Sequence, residues 1–122
     1  MRLIEKDITK IRTSKSVDGR TEAAERLAKD VKKLSNNENK EALVVDLINL
    51  LDSPDDSVRY WIAISLGNMG PVAKAAIPKL EAMLPQAERI NGAITSASGI
   101  RYALIKLGVK LPPPSKHEVI AG

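Results

Sequence analysis

The stretch Leu50-Leu51-Asp52-Ser53-Pro54-Asp55-Asp56-Ser57-Val58-Arg59-Tyr60-Trp61-Ile62-Ala63-Ile64-Ser65-Leu66-Gly67-Asn68-Met69-Gly70-Pro71 contains the end of one helix, a turn and the whole of a second helix. The second helix runs to about Met69. Ser53 suits the N-cap, Pro54 the first helical position, and Asp56 supplies an acceptor for the unpaired N–H groups of the first turn. Gly70-Pro71 stops the helix.

Upstream, Leu43, Val44, Leu47, Ile48 and Leu51 form the stripe of a preceding helix that ends at Asp52, so this region is a helical hairpin. The pattern occurs twice more. Ile4, Ile8 and Ile11 lead into a Thr13-Ser14-Lys15-Ser16 break, then Asp18 as N-cap and the stripe Ala23, Ala24, Leu27, Val31 and Leu34, followed by the polar loop Ser35-Asn36-Asn37. Downstream, Ala75, Ile77, Leu80 and Leu84 end at Pro85, and after an irregular stretch around Asn91-Gly92 the residues Ala97, Ile100, Leu104 and Leu107 mark a last helix. No segment sustains the two-residue alternation of a strand. The expectation is an all-α chain of six principal helices in three hairpins, spanning 1–36, 37–70 and 71–111, followed by a Pro-rich tail over 112–122.

The second helices align on an arginine. Arg20, Arg59 and Arg101 are spaced 39 and 42 residues apart, each with a leucine six or seven positions later. A period of about 40 is that of two-helix solenoid units. Leu50 to Arg59, then Ile62, Leu66-Gly67 and Met69 to Leu80, resembles a bacterial HEAT repeat of the phycobiliprotein-lyase type. The resemblance implies a short α-solenoid whose second helices line a concave face, with Val58, Ile62, Ser65, Leu66 and Met69 pointing to the core. It also implies that Arg59 and Arg101 hold loops together through carboxylate or carbonyl contacts, a partner's carboxylate or phosphate being the other use of such a group.

Composition narrows the function. The chain has no cysteine, and its one histidine, His117, follows Pro112-Pro113-Pro114, so a His-based triad, a thiolate nucleophile and a multi-histidine metal site are all excluded. No Gly-rich phosphate loop occurs, and Asp55 with Asp56 reads as capping rather than as an acid/base pair. No cofactor is called for. The start, MRLIEKDITK, is charged throughout and reads as no export signal, which with the lack of cysteine leads to an expected cytoplasmic location. The net charge of +4 is uneven: residues 41–70 hold 1 basic and 5 acidic side chains, whereas the flanking blocks are each positive.

The expected function is therefore a non-enzymatic protein-binding scaffold, and in particular a bacterial inhibitor or immunity protein that blocks one toxin or enzyme. Its partner is expected to be a protein with a basic or mixed-charge surface. Nucleic-acid binding, suggested by the pI of about 9.4, and a lyase-like accessory role are the alternatives. Against the HEAT pattern, Tyr60 and Ile64 put apolar area where charged residues usually stand, and Trp61 lies beside them. Tyr102 follows Arg101 as Tyr60 follows Arg59, which predicts a tyrosine pair flanking a groove. The expected partner-binding residues are Tyr60, Trp61, Ile64 and Tyr102, with Asp55, Asp56, Arg59 and Arg101 around them. Arg26, Lys29, Lys32 and Lys33 form a basic helix end, read as solvated and suited to the helix C-terminus.

Overall fold

A computed structural model describes residues 3–34, 39–92 and 94–111, and these form six α-helices with no strand among them. They are α1 (Leu3–Thr13), α2 (Val17–Asp30), α3 (Lys40–Leu50), α4 (Asp56–Met69), α5 (Ile77–Ala87) and α6 (Ser96–Lys106). Short 3-10 segments follow α2 (Val31–Lys33) and α4 (Gly70–Ala76). The Ser35-Asn36-Asn37 loop and the 112–122 tail lie outside the described residues.

Helix α4 lies between α2 and α6, while α1 packs on α2, α3 on α4 and α5 on α6. The core is aliphatic, as the composition requires. Leu27, Leu47, Leu51, Val58, Ile62, Leu66, Leu80, Ile100 and Leu104 are fully buried, and Ser65 joins them by donating its hydroxyl to the Trp61 carbonyl one turn back. The expected core face of α4 is thus the observed one.

Several helix boundaries differ from those expected. Helix α2 is capped by Ser16, whose hydroxyl accepts from Gly19 N at 2.9 Å, and Asp18 sits inside the first turn. Helix α4 begins at Asp56 with Asp55 as its cap residue, two positions later than expected. Ser53 instead accepts from Asp55 N at 3.2 Å, closing a local turn that keeps Pro54 outside the helix. Helix α5 does not end at Pro85 but runs on to Ala87. Proline there removes one donor near the last turn, and Glu88 N still bonds to the Leu84 carbonyl at 2.9 Å beyond it. Ala75 is exposed, and Ala73 and Ala76 are buried in its place, because the 3-10 winding turns that segment by a different period. Helix α6 ends in a Schellman turn. Gly108 takes φ +97°, its N–H bonds to Ile105 and that of Val109 to Leu104.

Candidate partner-binding site

The faces of α4 place each side chain of the candidate site. Ser57 meets Thr21 of α2 through hydroxyls 2.7 Å apart, whereas Tyr60 and Gly67 face α6. Gly99 of α6 packs directly on Tyr60, so that a Cβ there would lie 2.7 Å from the Tyr60 carbonyl oxygen and 3.0 Å from its ring. Only glycine allows this approach. Tyr60 and Trp61 form an edge-to-face pair with ring centres 4.9 Å apart and planes at 82°. Both are half-buried, and Trp61 rests partly on the core. Together with Asp56, Ser57 and Ile94 they border a hollow of about 350 Å³. Ile94, in the loop before α6, is 72% exposed. Ile64, one turn beyond Tyr60, is half-buried.

Tyr102 takes a different role from Tyr60. Its ring lies against Gly67, and its hydroxyl donates to Asn68 Oδ1 at 2.6 Å. Asn68 in turn donates to the Ala28 carbonyl at 3.1 Å, so a polar rung crosses α6, α4 and α2. The Lys106 ammonium lies 5.9 Å from the centre of the Tyr102 ring.

The four charged candidates are all engaged within the chain. Asp55 accepts two bonds from Arg20, at 2.6 and 3.2 Å, and this pairing holds its carboxyl below the usual carboxylate range despite partial burial. The same contact raises Arg20 further above its ordinary value. Asp56 accepts from Arg59 at 3.0 Å and from both the N–H and the hydroxyl of Ser96, so a carboxylate of α4 covers the start of α6. Arg59 also donates to the Ser53 carbonyl at 2.6 Å, and Arg20 makes the matching bond to the Ser14 carbonyl at 2.8 Å, each six residues upstream. Arg101 pairs with Glu88, with Nε at 3.0 Å. At the basic end of α2, Arg26 pairs with Asp7 and Lys29 with Glu25.

Sequence reading missed Ile94 and Asn68. Ile94 lies in an aperiodic loop, where no stripe indicates which way an apolar side chain points, and Asn68 looked like an ordinary polar position near a helix end. No helix among the described residues is long and apolar enough to cross a membrane, and no cluster of three or more His, Asp or Glu residues there is arranged to hold a metal ion. Comparison with protein-family models, with curated proteins and with solved structures finds no match to this chain.

Proposed function

We propose that this chain is a non-catalytic protein-binding scaffold, a short HEAT-type solenoid that covers a basic or mixed-charge surface of one target, as an inhibitor or immunity protein would. The observation that carries the reading is the Tyr60–Trp61 pair beside the exposed Ile94. Partly exposed aromatics bordered by apolar area have the composition of an interface anchor, and leaving them uncovered works against solubility. The solenoid part is supported by contacts that repeat in register. The Thr21–Ser57 contact, moved along by the 39- and 42-residue arginine spacings, becomes Tyr60–Gly99, which is also a contact. Arg20, Arg59 and Arg101 are taken up by internal carboxylates, which weighs against a phosphate-binding groove.

The test begins with the product of a neighbouring gene, purified and titrated against this chain. Tyr60→Ala together with Ile94→Asp is expected to weaken that complex by about 2 kcal/mol or more, roughly 30-fold in Kd. An unchanged Kd would place binding on another face. Saturable duplex DNA binding that persists at about 200 mM salt would favour the nucleic-acid reading instead.

A further inference from the structure

Resting on that interaction surface, we propose that the corner between Tyr60 and Trp61 receives one cationic side chain of the partner, an arginine guanidinium or a lysine ammonium. Two rings at 82° leave an angle in which an inserted group meets the face of one ring and the edge of the other. Aromatic faces carry the negative lobe of a quadrupole, tryptophan most strongly, and attract a cation held over them. Asp56, already paired with Arg59, borders the same hollow, and none of the described residues lining it is basic.

Three other hollows among the described residues differ on these points. One, lined by Leu51, Ser53, Arg59 and Met83, and another, lined by Arg12, Arg20 and Pro54 among others, have no aromatic ring on their walls. The hollow between α1 and α3, lined by Ile4, Glu5, Ile8 and Asp46 among others, has no aromatic ring. Of these four hollows, only the one at Tyr60–Trp61 combines aromatic faces with a carboxylate and no basic side chain on its wall. Ile94 completes the fit, because arginine and lysine carry their charge on an apolar stem that gains from lying along an exposed aliphatic side chain.

Trp61 is the only tryptophan of the chain, so its emission reports on this corner directly. The probes are acetyl-Gly-Arg-Gly-amide and acetyl-Gly-Lys-Gly-amide, with citrulline and norleucine as the neutral counterparts. The cationic peptides are expected to shift the emission saturably, with the neutral ones at least about 5-fold weaker. Tyr60→Leu, checked for an unchanged circular dichroism spectrum, should reduce the cationic response by a similar factor. Equal responses to charged and neutral peptides would overturn the proposal, as would no response to either cation up to about 50 mM. If the peptides fail while Tyr60→Ala still weakens the protein complex, the interaction surface stands and the cationic anchor falls. If the peptides bind while the complex ignores Tyr60, the cation site stands alone.

Discussion

Two aspartates show how one side-chain chemistry takes opposite roles in different surroundings. Asp7 of α1 is only 5% exposed, with one oxygen 3.2 Å from Arg26 and the other buried without a hydrogen-bond partner. Burial raises its pKa above the ordinary value; Arg26 offsets part of that effect and the nearby Asp30 adds to it. Its ionised form is therefore a cost in the folded state, present at neutral pH and relieved as pH falls through the raised pKa. Asp55, held low chiefly by its bonds to Arg20, contributes stability above its unfolded pKa and loses it as pH falls through the lowered folded value. The expected result is that Asp7→Asn is more stable than the parent at pH 7, with the difference shrinking as the medium is acidified. Asp55→Asn is expected to be less stable at pH 7, with its deficit vanishing only in strong acid. Urea melts across the range check both, and parallel pH profiles for the two variants would contradict the assignment.

At the scale of the element, the α4–α6 contact depends on what is missing from Gly99. Alanine is the better helix former by about 1 kcal/mol, so an isolated helix would gain from Gly99→Ala. Here the new methyl would lie 2.7 Å from the Tyr60 carbonyl, a backbone atom that cannot swing aside. Helices α4 and α6 would have to separate, and the variant is expected to lose about 1 to 3 kcal/mol in a urea melt. A gain in stability would show that the two helices slide freely. The elements were legible in the sequence because stripes such as Val58, Ile62, Leu66 report burial directly through the helical period. Their ends were less legible, because Ser16 and Asp18 are both competent caps for α2, and Ser53 and Asp55 for α4, and at α4 Asp55 is held by Arg20 from another helix. The bond from Ser96 to Asp56 lies 40 residues apart in sequence, which no local pattern encodes. The same applies to the site. Tyr60 and Trp61 stood out as large rings in a chain with few, but that Tyr102 leans back over Gly67 follows only from the close approach of α6 to α4.

For the whole molecule, the arrangement predicts where stability is concentrated. Helix α4 is covered by α2 on one flank and α6 on the other, with α3 beneath, whereas α2 and α6 each have only one neighbour in that row. Seven residues of α4 are buried (Val58, Ile62, Ala63, Ser65, Leu66, Gly67 and Met69), while the equally regular α5 buries only Leu80 and Ala87. Opening α4 requires losing both side-by-side interfaces, as well as the polar rung through Asn68 and the two bonds from Ser96 to Asp56. For helix α1 to leave, its packing on α2 and its Asp7–Arg26 and Arg12–Asp46 pairs must break, with no partner helix lost on a second flank comparable to that of α4. Amide hydrogen exchange reads this hierarchy directly, since local opening free energies range from about zero at frayed ends to the global value in the core. The amides from Ile62 to Leu66 are expected to exchange last, at the rate of global unfolding. Those of α1 and the end of α5 beyond Pro85 should exchange much sooner, with α2 and α6 between. If α1 or α5 amides outlast those of α4, the middle helix is not the support on which the flanking hairpins depend. Leu66→Ala should then destabilise the chain far less than the 2 to 5 kcal/mol or so expected for truncating a fully buried leucine.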